Sequence, residues 1–330
     1  MQRKIKSNKK EYIKRVDKTV EEIKKLPLHK MDEELRYLKK AFDIAYKNDI
    51  FSLYNFDKNT QEKLKLKLFS KLTPYSGNLS FLAIQILAAN SIMAKNDFKR
   101  KKYFFNKKCG IAINHLRSNK THVRAKKYKN GYLLNGILTW ASGYRIFDRL
   151  LIGFHYENKE YEVLASFEKS KSFKILETPK TFVGQGLNTI NVYLENFFVK
   201  EINIVSANNI GNYTKNKSLS KTVHFALYGI ALGAIDKLDS HTLKNSSKIK
   251  LKDIKKRFLN SNNGEELDNL RVELFCLAQD IITTGMVING GKSILHDSYL
   301  QRYYKELIMF NSNGLNATIK NIFLNKFTQA

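Results

Sequence analysis

Apolar residues recur every three or four positions through the first hundred residues. Val16, Val20, Ile23 and Leu26 share one face, and Leu35, Leu38, Phe42 and Ala45 share another. The spacing predicts amphipathic helices from about Glu11 to Lys107. Pro27 and the segment Thr73-Pro74-Tyr75-Ser76-Gly77 interrupt them, and Gly77-Asn78 opens an almost wholly apolar run, Leu79 to Ala89, that reads as a buried helix.

From Cys109 to about Val205 the period shortens. Runs such as Tyr161 to Phe167 and Thr189 to Leu194 alternate or are β-branched, and Asn, Gly and Lys turns separate them. This is an all-β insert. A polar, lysine-rich linker, Ser206 to Ser220, then leads to a second helical region, in which Val223, Leu227, Ile230 and Ala234 keep a helical stripe and Leu270 to Ile288 forms another. The expected organisation is a helical domain over 1–108, a β-barrel over 109–206 and a helical bundle over 207–330, a mixed fold that is mainly α.

With 330 residues, 43% of them hydrophobic, the chain has ample material for a packed core. The apolar segments Leu79 to Met93 and Ala278 to Val287 carry polar interruptions, so no membrane span is expected. The basic start, Met1 to Lys6, has no apolar core behind it, and no secretory signal is read there. Cys109 and Cys276 stand far apart, and neither they nor the seven histidines show ligand spacing, so no metal site is expected. Two unpaired thiols fit a cytoplasmic protein.

The formal charge of +28 has two readings. It would attract nucleic acid, an acidic surface or a phosphate-bearing substrate. The excess is spread over the chain and is mostly lysine beside abundant Asn, Ile, Phe and Tyr, which favours compositional bias over a nucleic-acid partner. The densest cluster, Lys99 to Lys108, interleaves aromatics in a manner that suits single-stranded nucleic acid or a helix end entering a barrel.

Candidate chemistry concentrates in Gly131 to Tyr144, which holds the only tryptophan. Asn130-Gly131 and Asn135-Gly136 are turn dipeptides between short apolar runs, the signature of tight hairpins. Trp140 and Ser142 have the alternate spacing that puts two side chains on one face of a strand. A flat aromatic acceptor with polar atoms along one edge needs an aromatic wall and a donor at fixed reach. A lone strand tryptophan is also an ordinary core anchor.

The order Gly-Tyr-Leu-Leu-Asn-Gly from Gly131, then Trp140-Ala141-Ser142-Gly143, then Leu150-Leu151-Ile152-Gly153 resembles the middle domain of the acyl-CoA dehydrogenase family. The resemblance runs from about Ser76 to Leu324. Phe182 to Leu194 looks like the family's closing strands. Asn289-Gly290-Gly291, followed by Leu300 to Glu306, is similar to its Gly-Gly turn and Arg-x-x-Arg-Asp helix, with Lys305 and Glu306 as replacements. The likeness implies an N-terminal helical domain, a middle β-barrel and a C-terminal four-helix bundle. It implies FAD, or FMN, against Trp140 and Ser142, with Asn114 and His115 as donors to the pyrimidine edge. It also implies a homodimer or homotetramer built through Leu270 to Leu324 and an acyl-CoA or other acyl thioester as substrate.

The departures bear on catalysis. The family's carboxylate base falls, in this sequence, on Asn313 within Ser312-Asn313-Gly314, and an amide cannot take that proton. The alternative base position falls near Thr222. Glu306 is the nearest carboxylate, and His115, His224 and His296 are the candidate acid/base histidines. The usual Leu-Thr-Glu-Pro and Gly-Ser-Asp segments are replaced by Gly110 to Arg117 and Ser118-Asn119-Lys120, and Met286-Val287-Ile288 stands where the family has a Gln before the Gly-Gly turn. The expected activity is therefore a divergent flavin oxidoreductase without the usual base. The alternatives are an oxygen-using or inactive relative, or a basic-surface binding protein on the same fold.

Overall fold

A computed structural model of the chain describes residues 8–118, 120–215, 219–312 and 315–328. Six helices lead: α1 (Lys9–Lys24), α2 (Lys30–Glu33), α3 (Leu35–Lys47), α4 (Lys58–Leu72), α5 (Gly77–Lys95) and α6 (Lys101–Phe104). Side chains close their entrances where the sequence offers short polar residues. Asn8, Asp57 and Ser76 accept from backbone N–H groups in the first turns of α1, α4 and α5. The amphipathic stripes bury as the spacing predicts, with Val16, Val20, Ile23, Leu38, Phe42 and Ala45 inside and Leu26 and Leu35 at the margin.

Eight strands follow: β1 (Cys109–Ala112), β2 (Val123–Tyr128), β3 (Gly131–Ala141), β4 (Arg149–Tyr156), β5 (Lys159–Ser166), β6 (Phe173–Ile175), β7 (Ile190–Lys200) and β8 (Ile204–Asn209). They form one sheet in the order β6-β7-β3-β2-β4-β5-β8, with β1 parallel to β4. Among the described residues no ladder joins β6 to β8. Aromatic side chains fill the interior: Phe154 stacks on Tyr161, Tyr132 meets both, and Phe167, Phe173 and Phe197 carry the filling from the end of β5 to β6 and β7. The barrel is thus a sheet rolled around a shared core, without a hydrogen-bonded seam.

The two Asn-Gly dipeptides part company. Lys129 and Asn130 make the β2–β3 hairpin turn, but Asn135-Gly136 lies inside β3 as a bulge against β7. Gly136 has φ +133°, and a Cβ there would stand 1.7 Å from the His122 carbonyl oxygen. The dipeptide marks a close backbone approach, and the strand continues through it.

The chain ends in α7 (Asn212–Lys215), α8 (Thr222–Asp236), α9 (His241–Asn260), α10 (Gly264–Asn289), α11 (Tyr299–Ser312) and α12 (Ala317–Thr328). α8 is buried on nearly every face and is packed by α4, α9, α10 and α11. One correction concerns the apolar segments. Two helical stretches, Gly77–Lys95 and Gly264–Ile294, are long and apolar enough by composition to cross a membrane. The first is 67% buried within the protein, because it packs against α3, α8, α11 and β1. A single core runs from Tyr12 through the strands to Phe310, and a smaller one around Met93, Leu116, Leu151 and Leu164 joins α5 to the β1–β4 side of the sheet.

Candidate functional site

The β3–β7 ladder slips again between Leu138 and Ala141. A slip of one residue moves every later side chain to the other face, so Trp140 and Ser142 do not share a face as their spacing predicts. Thr139 and Trp140 both point outward, while Ala141 and Ser142 are both inside. Trp140 is 62% exposed and has φ +58°. A bulky residue there is a backbone outlier costing about 1–3 kcal/mol, and such outliers persist only when the surroundings hold them. Here the Trp140 N–H donates to Asn191 Oδ1 at 3.0 Å.

Ser142 is 5% exposed, and its hydroxyl lies 2.8 Å from Thr189 Oγ1. The next residues are stitched to the loop before β7. The Gly143 N–H donates to the Leu187 carbonyl at 2.7 Å, the Tyr144 N–H donates to Asn188 O, and Asn188 Nδ2 returns a bond to Tyr144 O. Gly143 has φ +84°, and a Cβ would press into the Phe147 ring at 2.3 Å. The result is an outward-facing indole beside a pair of inward hydroxyls, fixed by Thr189 and Asn191. Sequence reasoning missed both partners. Their signal is the polar-apolar alternation Thr189-Ile190-Asn191 entering β7.

The other expected donors lie elsewhere. Asn114 is exposed on a 3₁₀ turn over Asn114–Arg117. His115 Nε2 is 2.8 Å from the Gly153 carbonyl of β4, and burial lowers its pKa, which keeps the ring neutral. This turn packs through Leu116 into the smaller core, whereas Ala141 and Phe147 around Ser142 belong to the main one. His115 is therefore tied to the sheet backbone and makes no hydrogen bond with the Trp140–Ser142 segment.

Glu306 is the clearest instance of chemistry used for structure. It is 1% exposed, accepts the Gly77 N–H at 2.7 Å and lies 3.5 Å from Arg302. Burial pushes its carboxyl up to about 7, opposed by the Arg302 charge and reinforced by Asp32. Arg302 also donates to the Tyr75 and Pro74 carbonyls, and Asp32 accepts from Asn78 Nδ2 and the Gly184 N–H. This knot joins α2, the entrance of α5, the loop before β7 and α11. The packing leaves Glu306 no opening through which a substrate proton would reach it. His224 is likewise internal: Nε2 is 2.7 Å from the Leu267 carbonyl, and burial lowers its pKa to about 4. Thr222 is buried with its hydroxyl 2.9 Å from Ser220 Oγ, and His296 is exposed beside Glu33. Asn313 lies outside the described residues. Among the described residues no group of three His, Cys, Asp or Glu side chains is arranged to hold a metal.

No protein-family model matches the sequence, and no curated protein matches it. Solved structures do. The structure of a glutaryl-coenzyme A dehydrogenase in complex with glutaryl-CoA superposes with a TM-score of 0.77 at 14% identity, covering 99% of this chain and 97% of that one. KijD3 in complex with FMN and a dTDP-linked amino-keto sugar gives 0.75 at 10% identity, covering 98% and 95%. The prolyl acyl carrier protein oxidase AnaB gives 0.71 at 14% identity, covering 97% and 99%. The described residues have the acyl-CoA dehydrogenase-like fold.

Proposed function

We propose that this protein is a flavin-dependent oxidoreductase of the acyl-CoA dehydrogenase-like class, divergent in lacking the usual carboxylate base. The observation that carries the reading is Trp140, an exposed indole held at φ +58° by a bulge and by Asn191, next to the part-buried Ser142–Thr189 hydroxyl pair. The bulge and Asn191 hold the strained backbone in place, and its effect is to present a flat apolar wall. The FMN complex of KijD3 and the acyl-thioester chemistry named for the dehydrogenase and oxidase support the choice of cofactor and substrate class. FAD is the first expectation and FMN the alternative.

The residues present fit such a group. Trp140 would cover an apolar face, and the Ser142 hydroxyl, oriented by Thr189, would donate to a polar edge. When bound, a flavin supplies a two-electron acceptor for hydride. The chain's own task is to place a substrate acyl group and move its α-proton, and Asn313 cannot accept that proton. Neither Glu306 nor His224 replaces it, both being committed to backbone partners inside the protein.

The exposed apolar residues Val287 and Ile288 at the end of α10, Ile294 and Leu295 just beyond it, and Leu324 and Phe327 on α12 support a homodimer or homotetramer through this end of the bundle. The test of function is a titration of the unaltered protein with FAD and FMN by flavin fluorescence, followed by a panel of straight and branched acyl-CoAs. Flavin binds, and no acyl-CoA bleaches it; Asn313→Glu then restores a trace of bleaching. Failure of both flavins to bind overturns the cofactor assignment, and rapid bleaching in the unaltered protein overturns the absence of a base.

A further inference from the structure

We infer that α9 is a docking surface for the sugar–phosphate backbone of a nucleic-acid duplex. The helix, His241–Asn260, carries seven Lys or Arg and one acidic residue, Asp253. α1, a helix of similar basicity, carries six against four, and its charges interleave as Arg15–Glu11, Lys18–Glu22 and Lys24–Glu21 pairs. α4 is as lopsided by count, with five Lys against Glu62, but its Lys71 pairs with Asp17, so what sets α9 apart is its row of unpaired cations rather than its composition. Among the described residues only Arg257 of α9 pairs with carboxylates, Asp253 and Glu273 of α10.

The unpaired cations are placed regularly. Lys248, Lys252 and Lys256 are exposed at i, i+4 and i+8, and among the described residues none of them pairs with a carboxylate. Lys244 continues the row while donating to the Asp236 carbonyl, and Lys250 is exposed on the opposite flank of the helix. Like charges at i, i+4 repel one another, so the row works against the helix that carries it. Consecutive members rise by about 6 Å along the axis, which sets three ammonium groups in line over about 12 Å. A rod of point charges with that repeat matches a chain of phosphates.

Two observations favour a duplex over other polyanions. The exposed surface of α9 has no Phe, Tyr or Trp, and its one exposed ring, His241, stands at the N-terminal end away from the lysine row, so it lacks the stacking platform that a single strand requires. Ile249 is the single large hydrophobic exposed on the helix, so it lacks the apolar face with which a helix enters lipid. The buried side of α9, Ser247, Leu251, Ile254 and Phe258, is spent on α8 and α10. With no arginine free to read a base edge, recognition is of the backbone and independent of sequence.

The test is fluorescence anisotropy of a random-sequence duplex several helical turns long, titrated with the full protein at several salt concentrations between about 50 and 200 mM. The unaltered protein binds with log K falling against log salt at a slope of about −3 or steeper, as expected when at least three phosphates lose counterions. K248Q/K252Q/K256Q weakens binding about tenfold or more at the low-salt end and makes the slope shallower by about 3. K126Q/K169Q/K171Q, which removes the same charge from exposed positions of the β region, leaves both nearly unchanged. Circular dichroism confirms that each variant is folded, and the single exposed change Lys252→Glu repeats the test at smaller scale. The proposal is overturned by no binding at low salt, by equal loss in the two triple variants, or by vesicles rich in phosphatidylserine that bind through the stripe while duplex binding ignores it.

Discussion

Trp140 and Glu306 are both residues of the kind that performs chemistry, and the fold treats them oppositely. Glu306 sits in a closed knot, held through Oε1 by Gly77 and Arg302 while Oε2 is buried without a hydrogen-bond partner, and joins elements 229 residues apart in the chain. Trp140 sits outside the packing, on strained backbone, with a single polar contact holding its N–H. A carboxylate near a catalytic position is therefore weaker evidence of function than an aromatic side chain that the protein holds out at a cost. Burial turns reactive groups into fasteners, and exposure against local strain turns ordinary ones into candidates.

The contrast is broken most forcefully at Glu306. Glu306→Ala strands the Arg302 charge and empties a packed space, so unfolding by urea should show a loss of about 3 kcal/mol or more. A change of similar size in Trp140→Ala would erase the distinction between the two regions. A pH series tests the same knot. Because burial raises the Glu306 carboxyl from its ordinary 4.5 to about 7, the folded state binds the extra proton between those values. Its contribution is fully present below the unfolded pKa and is lost as pH rises through the folded one, so stability should decline from about pH 4.5 to 7 by this term. Glu306→Gln should flatten that decline, and an unchanged profile would show that Glu306 is not its source.

Ser142→Ala deletes a buried hydroxyl and leaves Thr189 Oγ1 without it, at a cost of about 1 kcal/mol in thermal or urea unfolding. It should also weaken flavin binding if the hydroxyl serves both partners. The smallest stability effect belongs to Trp140→Ala, within about 0.5 kcal/mol, since the side chain is exposed. Trp140→Gly should stabilise by up to about 1 kcal/mol, because glycine accepts φ +58° without strain. Both changes should loosen flavin. Undiminished flavin affinity in Trp140→Ala would remove the indole from the site and leave its strain without a function.

The periodicities alone determined the succession of helices, strands and helices, with the strand region opening at Cys109, because a period of 3.6 or 2 is a local property of the chain. The buried run beginning at Leu79 and the stripes through Val16 and Leu38 were legible for the same reason. Tertiary structure decided the rest. Alternation put Trp140 and Ser142 on one face, but the slip against β7 turned one outward and the other inward, and a register slip depends on the partner strand. Asn135-Gly136 carried the letters of a turn, yet the approach of the His122 carbonyl made it a bulge. Glu306 stood where a base was sought, and only the arrival of Gly77 and Arg302 showed it to be a clasp. Local pattern settles which elements form, since each residue there answers to its neighbours in sequence; which side chains are offered to a ligand depends on contacts between residues far apart in the chain, and no local pattern encodes those.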